Sequence, residues 1–138
     1  MTDAGSPRAA ALAAGGLLFV LYAMTLAPDV TFWDAGEFIA AIRTLGIPHP
    51  PGTPLYVLVA SVWSRALFLL PPATAANLFS AACTAGAGAI AASLITGWTG
   101  RMAAGIAAAL VAGTMSTVWL DATETEVYAA SLFLSLTM

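Results

Sequence analysis

Asp34 and Glu37 stand three residues apart in TFWDAGEFIA (31–40), within a chain that otherwise avoids charge. On a helix, residues at that spacing share one face. Such a pair can take a proton, hold a cation, or bind the free backbone N–H groups of a helix start. The last is the plain structural reading. D-x-x-E is close to a capping box, with Asp34 accepting from exposed amides and Glu37 reaching back. Negative charge there also suits the helix dipole. A cap alone does not account for the flanking Phe32, Trp33 and Phe38. An aromatic-lined acidic site where an apolar run ends suits an amphiphilic substrate, so Asp34 and Glu37 are also read as catalytic and Trp33 as substrate-binding.

Three other residues join them as substrate-binding candidates. Arg43, nine residues past Asp34, can favour a helix C-terminus or neutralise a phosphate. His49, in the stiff turn HPPGTP (49–54), is either structural or a proton carrier near neutral pH. A second acidic cluster, DATETE (121–126), offers Thr123 as a helix cap with Glu126 at the third helical position. That leaves Asp121 and Glu124 as free groups, with Glu124 the substrate-binding candidate.

The elements that must position these groups are apolar. Of 138 residues, 60% are hydrophobic and 8% charged, and mean hydropathy is +0.91. Soluble domains carry about a quarter charged residues, so the composition predicts an all-α membrane protein, a polytopic helical bundle. A net charge of −3 without a basic patch excludes nucleic acid as a partner. With one Cys and one His, an internal disulfide is excluded and a zinc site disfavoured; Cys83 reads as a packing residue. Phosphate loops of the GxxxxGK type, HExxH and GxSxG are absent.

Residues 9–27 carry no charge and match the roughly 20 residues that cross a bilayer core. Their length and the placing of Pro28 favour an uncleaved span over a signal peptide. Residues 28–73 are predicted to form a loop with juxtamembrane helices, one over 34–45 and one within 54–70, where Thr53 caps and Pro54 takes the first helical position. Residues 54–70 are long enough to span, yet Ser61, Ser64 and Arg65 interrupt them. Spans are predicted over 74–96 and 102–120. In each, small residues recur every fourth position: Ser80, Thr84 and Gly88, then Gly105, Ala109 and Gly113. That is the pattern of closely packed membrane helices. The last run, 127–138, is short for a span and reads as one that continues past Met138. If 54–70 does not cross, Arg8 and Arg101 fall on one side and all the acidic loops on the other. The positive-inside tendency then places the N-terminus in the cytoplasm and the acidic loops outside.

TLAPDVTFWDAGEFIAAIRTLGIPHPPGTPLYVLVA (25–60) and ETEVYA (124–129) carry a resemblance. They resemble the signatures of a multi-spanning family of C-type-fold glycosyltransferases, family 117, which includes an animal protein O-mannosyltransferase. The resemblance implies that this chain is the N-terminal portion of such a fold. It implies a lipid-linked donor, a sugar on polyprenyl phosphate, and an acceptor protein or glycan, met among membrane lipids. It places Asp34 where C-type enzymes keep an essential acid in the first external loop, with Glu37 the second acid of the motif. A divalent metal held by Asp34 and another carboxylate is compatible with the motif but not established by it; no other cofactor is implied. Two other classes fit the residues: a transporter or flippase-like protein whose acids bind a cation or solute, and a non-catalytic assembly subunit.

Overall fold

The computed structural model of the chain describes residues 5–138. These residues form an all-α membrane protein. There is no strand among them, and the helices run α1 (Pro7–Met24), α2 (Ala35–Thr44), α3 (Pro54–Ala66), α4 (Pro72–Thr99), α5 (Met102–Gly113), α6 (Ser116–Thr123) and α7 (Val127–Thr137). Two helices, α1 and α4, are long and apolar enough to cross a membrane, or three if α5 and α6 count as one bent span.

α1 starts on a local signal: Pro7 occupies the first turn and the Ser6 hydroxyl accepts the Ala9 N–H. Its buried residues, Ala10, Ala14, Leu18 and Tyr22, recur every four positions and form one stripe against α4 and α5. The small-residue pattern works as expected. Ser80, Thr84, Gly105, Ala109 and Gly113 are all buried. A Cβ added at Gly105 would run into the Ala92 carbonyl and Thr96, so α5 lies almost backbone to backbone on α4. α4 ends at Gly100, whose φ of 68° is the left-handed conformation that glycine adopts without strain.

The run 102–120, expected as one span, is broken. α5 and α6 meet at 75°, and two hydroxyls explain the break. Thr114 donates to the Leu110 and Val111 carbonyls. Tyr22 donates to the Gly113 carbonyl at 2.8 Å, the group a continuous helix would give to the amide four residues on. The Tyr22 ring then stacks edge-on against Trp119, centroids 5.7 Å apart.

α3 has 13 residues, about 20 Å of helix, less than the roughly 30 Å of a bilayer core. Its start also departs from expectation. Pro54 takes the first turn, but Thr53 makes no side-chain cap, and its φ of 36° is left-handed. α2 and α3 pack together on the start of α4 through Phe38, Ile42, Tyr56, Val57, Ala76 and Phe79. The Trp63 indole N–H donates to the Ala75 carbonyl at 3.0 Å. α3 leaves Leu55, Leu58, Val59 and Val62 exposed, an apolar outer face suited to lipid.

α1 and α4 run antiparallel, because Ala10 and Ala14 meet Ala92 while Leu18 and Tyr22 meet Ala81 and Ala85. Arg8 and Arg101 therefore lie at one end of the bundle. The acidic loops lie at the other.

Candidate functional site

The acidic end is assembled by a side chain the sequence reading passed over. Asn77, buried near the start of α4, donates to the Ala27 carbonyl at 3.0 Å and accepts from the Thr125 hydroxyl. The Ala27 N–H reaches the Thr123 carbonyl at 3.0 Å. Ser80 accepts the Glu126 N–H at 3.2 Å. The loop after α1 and the loop before α7 are thus pinned to the same stretch of α4. An asparagine inside an alanine-rich span is the available signal, since an unpaired amide there is costly.

α2 is amphipathic. Phe38, Ile39, Ala41 and Ile42 are buried, which leaves Glu37 and Arg43 on the outer face. Asp34 sits at the N-cap position, yet its side chain makes no capping hydrogen bond, so the capping box does not form. Glu37 turns instead to the proline loop. One of its oxygens accepts the His49 backbone N–H at 2.7 Å, and the other meets His49 Nδ1 at 2.7 Å. His49 Nε2 then lies 3.8 Å from Asp34 Oδ2, too far for a direct hydrogen bond. The imidazole packs beside Phe38, ring centroids 5.9 Å apart. The chain turns between Glu37 and His49 at Leu45, which has a φ of 54°. Gly52, with a φ of 83°, follows the Pro50–Pro51 step.

The electrostatics follow from these contacts. The His49 hydrogen bonds hold the Glu37 carboxyl below its ordinary value. Glu37, and then the charge on Asp34, hold the His49 imidazole above its ordinary value. An ionised carboxylate only accepts hydrogen bonds, so His49 Nδ1 carries a hydrogen.

Trp33 lies directly before Asp34 at a φ of 61°, rare for a bulky residue, and is 93% exposed. Phe32 and Ile47 are also exposed. Arg43 stands in the last turn of α2. Nine residues from Asp34, it is about 13 Å away along the helix axis, so it is not brought into the cluster. The ion pairs among the described residues all involve His49.

The second acidic cluster has a different character. Thr123 ends α6 and its hydroxyl donates back to the Trp119 carbonyl. Glu126 precedes α7, so the expected Thr123–Glu126 cap is absent. Burial raises the Glu126 carboxyl, and Asp121, Asp34 and Glu124 add to the rise. The two clusters therefore feel each other, and Glu124 belongs to the second.

Asp34, Glu37 and His49 each offer a ligand atom within 4.8 Å of the others, a spacing a metal ion could use. Both Glu37 oxygens are hydrogen-bonded to His49, which leaves Asp34 as the carboxylate of the three-residue group with no side-chain hydrogen bond. The geometry is that of a hydrogen-bonded acid–imidazole pair beside a free carboxylate, and we assign no metal to it.

The model of the protein O-mannosyl-transferase TMEM260 N-terminal domain family matches residues 34–138. The chain belongs to this family. It is 32% identical to the mouse protein O-mannosyl-transferase TMEM260 over 99% of its own length and 21% of that protein's. It is 39% identical to the Dictyostelium discoideum protein O-mannosyl-transferase tmem260 over 33% of this chain and 6% of that protein. The chain thus spans about a fifth of the mouse relative's length. No solved structure matches.

Proposed function

We infer that this chain is the N-terminal portion of a multi-pass membrane glycosyltransferase of the C-type fold. The enzyme moves a sugar from a polyprenyl-phosphate-linked donor to an acceptor hydroxyl on a protein or glycan. Family membership supports the reaction class. One observation carries the site: Asp34 is an exposed carboxylate with no capping hydrogen bond, next in sequence to the exposed Trp33 and 3.8 Å from an imidazole fixed by Glu37.

Asp34 is the general base. The acceptor hydroxyl gives its proton to Asp34 as its oxygen bonds to the anomeric carbon. The bond from that carbon to the phosphate oxygen breaks, and its electron pair leaves with the phosphate. Single displacement inverts the anomeric centre. Base catalysis of this kind contributes roughly 10²–10⁴-fold. The acidic end faces the extracytoplasmic side and the Arg8–Arg101 end faces the cytoplasm. Residues 28–73 form an external loop whose helices lie along the membrane surface; the length of α3 and its apolar outer face support this. Trp33 faces the sugar or the head group, and Glu124 lines the far side of the site.

The test supplies the intact membrane protein with labelled sugar on a polyprenyl phosphate. Label appearing on an acceptor supports the enzyme, whereas label crossing the bilayer still on its carrier identifies a transporter. Asp34→Asn must abolish transfer while the protein still inserts; full transfer by that variant refutes the assignment.

A further inference from the structure

The group paired with the Asp34 and Glu37 carboxylates is His49; no arginine pairs with them among the described residues. Arg43 stands at the far end of α2, and Arg8 and Arg101 lie at the opposite end of the bundle. Glu37 binds His49 twice, through the backbone N–H and through Nδ1, both at 2.7 Å. That grip spans 12 residues of sequence and fixes the position of the loop and the rotation of the ring together. It also fills Nδ1. The one imidazole atom left free is Nε2, half-exposed and 3.8 Å from Asp34 Oδ2. A lone pair on Nε2 aimed at the Asp34 carboxylate would be repelled, whereas an N–H is attracted. The ring therefore presents an N–H donor to the space that Asp34 borders, and that donor has no protein acceptor within hydrogen-bond range.

We propose that Glu37 is a positioning residue that acts only through His49, and that the His49 Nε2–H is the direct donor to an anionic phosphate oxygen of the sugar carrier. The substrate class rests on the function proposed above. As the bond from the anomeric carbon to oxygen breaks, negative charge grows on the phosphate oxygen, and a fixed donor stabilises that growth. Asp34 takes the acceptor proton on the attacking side. The acidic motif thus divides into a base, Asp34, and an electrostatic donor, His49 held by Glu37. The charged groups that act on the ring are Glu37 and Asp34. The other titratable groups of α2 and α3 are Arg43 and Arg65, at the far ends of their helices, and Tyr56, which packs against Phe38.

A double-mutant cycle in the intact protein tests this, with insertion checked for each variant. His49→Gln should lower kcat by about 100-fold or more, the usual loss for a single transition-state donor. Glu37→Gln should cost roughly 10- to 100-fold, as for other carboxylates that orient an imidazole, with KM for the acceptor unchanged. The double variant should be no slower than His49→Gln alone. A double variant that loses the product of the two single effects overturns the positioning role, and a His49→Gln enzyme with normal kcat overturns the donor. Should His49→Gln fail to insert, imidazole ¹⁵N NMR of the wild-type protein decides the point. Protonation of both ring nitrogens at neutral pH, with Nδ1 hydrogen-bonded, supports the proposal, whereas an unprotonated Nε2 refutes the donor and an unprotonated Nδ1 refutes the positioning by Glu37. Asp34→Asn is the separate control: retained transfer there removes the base assignment, whereas no transfer by the parent protein removes the glycosyltransferase reading itself.

Discussion

The two acidic clusters share one end of the bundle and differ in almost everything else. Asp34 and Glu37 are about half-exposed and have an imidazole beside them. Glu124 and Glu126 are partly buried, in a loop held by Asn77 and Ser80, with no cation paired to either among the described residues. The first cluster can exchange protons and meet a charged ligand, because it is open to water and has His49 as an opposite partner. The second is partly buried, and its Glu126 carboxyl is pushed upward by burial. Carboxylate count does not separate them. Access and the presence of a counter-charge do.

Substitutions can break this contrast, and the largest effect belongs to the element that joins the two regions. Asn77→Leu leaves the Ala27 carbonyl and the Thr125 hydroxyl without their partner. At about 1–3 kcal/mol for each buried group left unpaired, the expected result is a large fall in thermal stability and loss of any activity with it. Calorimetry or a fluorescence melt in detergent checks this, and an unchanged melting temperature would show that the loops are not joined through Asn77.

A smaller loss is expected at the far end. Gly105→Ala forces α5 off α4 at the Ala92 carbonyl, an overpacking cost of about 1–3 kcal/mol. The melting temperature should drop without any change in the pH response of the acidic end. Least of all should change at Glu124: Glu124→Gln should alter transfer by less than about tenfold, because base chemistry of the roughly 10²–10⁴-fold kind is assigned to Asp34.

Titration sharpens the same comparison. Glu37 is lowered from 4.5, so its share of the pair is present above that value and is lost as pH falls through the lowered one. His49 is raised from 6.5, so its share is complete below that value and is lost as pH rises through the raised one. The pair should therefore be intact from about pH 4.5 to 6.5 and loosen on both sides. His49 ring NMR against pH reads this directly, and a single transition centred on the ordinary histidine value would show that Glu37 does not hold the ring. Glu126→Gln should leave that titration unmoved.

Much of this was legible in the sequence. The apolar positions of α2 follow the helical period, and α2 emerged within a residue or so of its expected bounds of 34–45. The small-residue stripes of α4 and α5 lie in the packing seams, because close helix contact leaves room for little else. The WDAGE acids stood out against a nearly uncharged chain. What stayed hidden depends on long-range contacts. The D-x-x-E spacing is the same for a cap and for a site. Only the loop that returns His49 to Glu37 decides between them, and that return depends on left-handed backbone at Leu45, a residue with no sequence signature for it. The break between α5 and α6 has no proline to announce it, since it depends on the Tyr22 hydroxyl from a distant helix. The role of Asn77 stayed hidden because its partners lie 48 and 50 residues away.

The most direct measurement compares two carboxylates in the same membranes. Asp34→Asn and Glu126→Gln are introduced separately into the intact protein, and the transfer of labelled sugar is timed for equal amounts of inserted enzyme. Asp34→Asn should fall by about 100-fold or more, and Glu126→Gln should stay within about tenfold of the parent. The reverse order, with Asp34→Asn active and Glu126→Gln dead, would move the base to the buried cluster and contradict the account.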